Sequence, residues 1–127
     1  MARRLCALPL LLAACAAPPE PEGLWDISPV SVAGVDPGSS AVACVGGYCT
    51  EPAVADAAGS ATWPGGTWFP FSGRQLSAGV TVSVTGQRGG PACAPRQVSF
   101  GAAELDSGAV TVGCGAAVLT IACRRHE

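Results

Sequence analysis

The sequence predicts an all-β fold, a small antiparallel sandwich or barrel of six or seven short strands stapled by disulfides. Three observations point there. From Leu24 onward, alternation of apolar and polar residues is the dominant period, as half-buried strands require. Seventeen glycines and eleven prolines interrupt the 127 residues too often for long helices. Beyond residue 14 the large apolar residues are only 13 Val, 4 Leu, 3 Phe and 2 Ile, and so thin a core needs cross-links. The seven cysteines can supply them.

Taken in order, Trp25–Val32, Ala41–Val45 and Thr67–Phe71 are candidate strands, with Ala53–Ala58 as one short helical turn between them. The clearest strand runs from Val80 to Thr85, with three valines on one face, hydroxyls on the other, and Gly79 and Gly86 as bounds. Gln97–Gly101 places Val98 and Phe100 together. Ala109–Cys114 groups Val110, Val112 and Cys114, and Ala117–Cys123 groups Leu119, Ile121 and Cys123. With Ala103–Ser107 as a turn, Val98 faces Val112 and Phe100 faces Val110, so both apolar sets share one side of a hairpin. That register sets Arg96 opposite Cys114 and brings Cys93 near, which makes a Cys93–Cys114 bridge geometrically reasonable. Cys123 sits at the far end of the next hairpin, turned near Gly115. Six residues of strand span about 20 Å, well beyond the roughly 7 Å that a bridge tolerates, so Cys114–Cys123 is disfavoured.

The segment before the domain reads as an export signal. Met1-Ala2-Arg3-Arg4 is a short basic stretch, Leu5–Leu12 is apolar apart from Pro9, and small residues follow. Such a run is too short to remain as a membrane-spanning helix. Leu12-Ala13-Ala14-Cys15 resembles the lipobox of bacterial lipoproteins. The resemblance covers about the first 15 residues. It implies a thioether-linked diacylglycerol on Cys15, cleavage before it, and an acylated N-terminus. Ala14-Cys15-Ala16 also fits an ordinary cleavage site, which would release a soluble periplasmic protein. Ala16 follows the lipidated cysteine, and in two-membrane bacteria a residue other than aspartate there usually permits sorting to the outer membrane. Residues 15–23 then form a lipidated cysteine and a linker, three of whose residues between 18 and 21 are proline. In extended polyproline form, at about 3.1 Å per residue, it would hold a domain of residues 24–127 about 25 Å from the bilayer. The expected organisation is therefore a leader at 1–14, the tether at 15–23 and one β domain at 24–127.

With Cys6 lost in the leader and Cys15 acylated, five cysteines remain, enough for two disulfides and one orphan. Cys44-Val45-Gly46-Gly47-Tyr48-Cys49 can close locally, because its glycines accept the positive φ of a tight loop. With Cys93–Cys114 as the second bridge, Cys123 is left as the free thiol. Metal binding and thiol redox chemistry are the competing readings. Both are poorly served, because there is no C-x-x-C and the lone histidine, His126, lies in the terminal tail. No metal and no cofactor are expected.

Other chemistry is thinly represented. A serine or cysteine nucleophile would have to recruit His126, whose tail Arg124-Arg125-His126-Glu127 is expected to be frayed and solvated. Gln75-Leu76-Ser77-Ala78-Gly79 misses a nucleophile elbow at its first position. Glu104 and Asp106 form a close carboxylate pair, but in turn-like surroundings. Arg88-Gly89-Gly90-Pro91 reads as a hairpin tip. Residues 15–127 carry five arginines, no lysine and nine acids, so no basic face exists for nucleic acid. The remaining cluster is Trp63–Phe71, with four of the seven aromatics in nine residues. Trp63 or Trp68 lying flat on the surface would stack on a sugar or grip a partner, although a valine- and alanine-rich domain has strong use for such rings in its core. The expected role is a lipid-anchored, non-catalytic envelope module that is structural or binds a partner. The alternative is a periplasmic binding or inhibitory module turning its aromatic loop on a glycan or an enzyme.

Overall fold

The computed structural model describes residues 22–64, 67–86 and 91–127. The expected leader, Cys15, most of the linker and the Arg88–Gly90 part of the expected hairpin tip lie outside the described residues. Ten strands and two short helices follow one another in these residues: β1 (Leu24–Ala33), β2 (Ser40–Val45), β3 (Tyr48–Cys49), β4 (Ala53–Val54), β5 (Ser60–Thr62), β6 (Phe69–Ser72), α1 (Gly73–Ala78), β7 (Val80–Gly86), β8 (Pro91–Val98), α2 (Ala102–Asp106), β9 (Ala109–Cys114) and β10 (Ala117–Arg125). They build two antiparallel sheets packed as a sandwich rather than one closed barrel.

Both sheets share one plan. The first runs β5-β1-β10-β9, with β6 also paired to β1; the second runs β3-β2-β7-β8, with β4 also paired to β2. Each therefore has one continuous edge strand and one edge split into two fragments. β6 covers Leu24–Ile27 of β1 and β5 covers Ser31–Ala33, which leaves Ser28–Val30 between them. A β-bulge sits at that gap, between Pro29 and Ser31. Pro29 has no N–H to give to a ladder, so a bulge is where a proline fits in a strand.

Period-two burial explains why these segments are strands. Val80, Val82 and Val84 of β7, Val110, Val112 and Cys114 of β9, and Leu119, Ile121 and Cys123 of β10 all point inward and are buried. Ile27, Val32, Phe71, Leu76, Phe100 and Leu105 complete the interior. Among the described residues, six of the 25 buried apolar residues are alanines, which is how a chain so poor in large side chains still fills its core.

The expected all-β sandwich is thus present, with five corrections. Strands number ten rather than six or seven, because fragments of two or three residues carry no readable period. Ala53–Ala58 is not a helical turn: Ala53 and Val54 form β4 against Ala41 and Ser40. Ala103–Ser107 is not a hairpin turn, since α2 occupies it, and Glu104 Oε1 accepts the Gly101 N–H at 2.6 Å at the helix start. The expected strand at Gln97–Gly101 ends at Val98, the last residue of β8, and it does not pair with 109–114. β8 joins β7, with Val98 opposite Val80, while β9 joins β10, with Val110 opposite Ile121 and Val112 opposite Leu119. Alternation had specified the apolar face, and in a sandwich two sheets share that face. Finally the C-terminal tail is not frayed: β10 runs to Arg125, and the His126 N–H donates to Leu24 O at 3.0 Å.

Both expected disulfides are present. Cys44 and Cys49 are directly opposed on β2 and β3. Cys93–Cys114, with Cα atoms 4.9 Å apart, joins β8 of one sheet to β9 of the other. Nearby, Arg96 Nη1 donates to Gly113 O at 2.7 Å, a second link between the same two edges.

Candidate binding cleft

The split edge of the first sheet is where the aromatic segment sits. Trp63 prolongs β5 by one residue, its backbone N–H donating to Val30 O at 2.9 Å. The ring is 5% exposed, so Trp63 is a core residue rather than a surface platform. Its indole N–H is closed to solvent and has no hydrogen-bond partner among the described residues. Trp68 is half-buried, and its face is covered by the Arg124 guanidinium at 3.8 Å from the ring centre. Trp63 therefore presents no bare face to a partner, and one face of Trp68 is taken by Arg124.

The exposed aromatic is one that sequence reasoning passed over. Tyr48 is 44% exposed and stacks on Phe69, with ring centres 4.8 Å apart and planes 11° from parallel, while Phe71 meets it edge-on at 5.7 Å. Gly46 permits this arrangement. Its φ is +59°, and a Cβ there would come within 2.6 Å of the Phe71 ring. The signal was present in Gly46-Gly47-Tyr48 beside a closing cysteine pair, but sequence alone does not show what the tip folds onto.

A cleft of about 160 Å³ is lined by Ser28, Pro29, Thr50, Glu51, Trp63, Pro64 and Thr67. It opens where β1 loses its edge partner, and it draws residues from both sheets' fragmented edges. Ser28 is buried, yet no hydrogen bond of its hydroxyl is found among the described residues, and none is found for the exposed Glu51 carboxylate. Thr50 is already engaged, its Oγ1 accepting from the Ala43 N–H at 3.0 Å.

No protein family, curated relative or solved structure matches the chain. Its chemistry is therefore read from the residues alone.

A second polar cluster lies near the start of β1, two residues before Ser28. Asp26 is 6% exposed; His126 Nδ1 lies 2.8 Å from its Oδ1, and Arg124 Nε lies 3.5 Å from its Oδ2. Arg125 rests over the Trp25 ring at 4.5 Å. These contacts fasten the tail onto β1, and among the described residues no hydrogen bond joins His126 to a serine, threonine or cysteine.

Glu104 and Asp106 are exposed on α2. Among the described residues no group of three or more His, Cys, Asp or Glu is placed to hold a metal ion, and no helix is long and apolar enough to cross a membrane. Cys123 is the free cysteine of the described residues and is buried. Burial pushes its thiol up from 9.0 to about 11, with the Glu104 carboxylate adding to the shift. A thiol so protonated is a poor nucleophile at neutral pH. It packs as a small apolar side chain.

Proposed function

We propose that this chain is a lipid-anchored protein of the cell envelope, acting without catalysis as a structural or binding module. The basic and apolar leader and the Leu12-Ala13-Ala14-Cys15 motif support the anchor. The observation that carries the placement is the pair of disulfides, one of them joining the two sheets, because such bridges persist in oxidising compartments and are reduced in the cytosol. Where the host has two membranes, the domain faces the periplasm from the outer membrane. The acyl chains on Cys15 are its contact with the bilayer, and an envelope protein or a glycan is its partner. A second reading, a periplasmic binding or inhibitory module, is favoured by the cleft at Trp63.

Labelling cells with palmitate tests the anchor. The wild-type chain is expected to take up label and fractionate with membranes. Cys15→Ser is expected to lose the label and to accumulate as precursor or as an ordinarily cleaved form. Equal labelling of the two would contradict the assignment.

A further inference from the structure

We propose that the cleft at the split edge binds one neutral acetamido sugar unit, an inference that rests on the second, binding reading above. Trp63 offers an indole N–H that nothing among the described residues accepts, and a buried donor without a partner is destabilising until it finds one. Ser28 adds a hydroxyl with no hydrogen bond among the described residues, Thr67 adds an exposed one, and Glu51 adds a carboxylate that pairs with nothing there. Pro29 and Pro64 supply the apolar lining.

These groups select among ligand charges. An ammonium ion would satisfy Glu51 but leave the Trp63 donor unanswered. An anion would answer the indole but face the Glu51 carboxylate. A neutral ligand carrying both an acceptor and several donors satisfies the whole set. An acetamido sugar has a carbonyl for the indole, hydroxyl and amide hydrogens for Glu51 and Ser28, and a C–H face with a methyl group for the prolines. The cleft is small, about 160 Å³, and suits one ring and not an extended chain. Because the indole N–H is closed to solvent in the ligand-free fold, binding must turn Trp63 toward the ligand. Its N–H proton is therefore the direct reporter.

The test uses the mature chain purified in detergent micelles from cells expressing the full sequence, with its tryptophan side chains ¹⁵N-labelled. The Trp63 indole signal is identified by its loss in Trp63→Phe. N-acetylglucosamine is expected to shift that signal saturably, and glucose to do so at least about tenfold more weakly. Glu51→Gln, at an exposed position, is expected to weaken the response about tenfold while leaving the unfolding midpoint in place. No saturable shift up to about 50 mM N-acetylglucosamine would overturn the site. An equal response to glucose would overturn the sugar class. The acyl mass of the same preparation reads the anchor separately: a titrating chain without acyl groups keeps the cleft and sinks the anchor, and an acylated chain that does not titrate does the reverse.

Discussion

The two flanks of this sandwich solve the same problem in opposite ways. Along one flank, the continuous strands β8 and β9 face each other from different sheets and are fastened by Cys93–Cys114 and by Arg96 reaching Gly113 O. Along the other, each sheet ends in two fragments, and the space between them is filled by aromatic rings and by the cleft beside Trp63. The disulfide on this side, Cys44–Cys49, ties two neighbouring strands of one sheet and does not cross between sheets. A covalent strut across the sandwich secures one flank, which leaves the opposite flank free to carry irregular, ligand-shaped structure. Stability and candidate function are thus placed on different edges.

The largest effects should separate those edges. Replacing Cys93 and Cys114 with alanine releases a loop with a sequence separation of 21, worth about 3 kcal/mol by loop-closure entropy, and also empties the fully buried Cys114 position. Replacing Cys44 and Cys49 releases a separation of only 5, worth about 2 kcal/mol. Urea titration of both variants should rank them in that order, and the reverse ranking would break the comparison.

Next come the glycines of the split flank. Gly46→Ala forces a side chain to φ +59° and into the Phe71 ring, whereas Gly47→Ala, at φ +95°, meets nothing within 4 Å. Both replacements are strained, at about 1–2 kcal/mol for the backbone alone, but Gly46→Ala should cost more in thermal unfolding. Equal costs would mean that the tip does not rest on Phe71. Removing the exposed ring by Tyr48→Ala should cost about 1 kcal/mol through its lost contact with Phe69.

At neutral pH the smallest effect comes from Cys123. Its thiol titrates near 11 in the fold and near 9.0 when released, so the native chain holds its proton over a range where the unfolded chain has lost it. Stability should be unaffected by this group below pH 9 and should fall as pH rises from 9 toward 11. Cys123→Ala should remove that part of the alkaline slope. Thiol labelling of the native protein at pH 7 should be slow until the fold opens; rapid labelling there would show that Cys123 is accessible.

What was legible in the sequence follows from how each signal arises. Val80–Thr85 and Ala109–Cys114 were readable because alternation over six residues reports a buried face, and Ala109–Cys114 matches β9 end to end. Alternation does not say which sheet a strand joins: Gln97 and Val98 close β8 in one sheet, while Ala109–Cys114 forms β9 in the other. Cys93–Cys114 was nevertheless correct, since the two edges meet across the sandwich. α1 left no periodic trace in six residues, but Ser72-Gly73-Arg74-Gln75 carries a capping box: Ser72 Oγ accepts from the Gln75 N–H at 3.0 Å and Gln75 Oε1 from the Ser72 N–H at 2.9 Å. The aromatic cluster was visible as composition. Which ring is buried was not, because Trp63, Trp68 and Tyr48 are sorted by the split edges of two sheets, a long-range arrangement with no local signature.

The proposed protein is an acylated, oxidised chain outside the cytoplasm, and its intact mass from native membranes reads both properties together. The expected species starts at Cys15, carries acyl groups on it, has Cys44–Cys49 and Cys93–Cys114 closed, and exposes one thiol, that of Cys123, only on unfolding. A chain without acyl groups whose thiols are all free would contradict it.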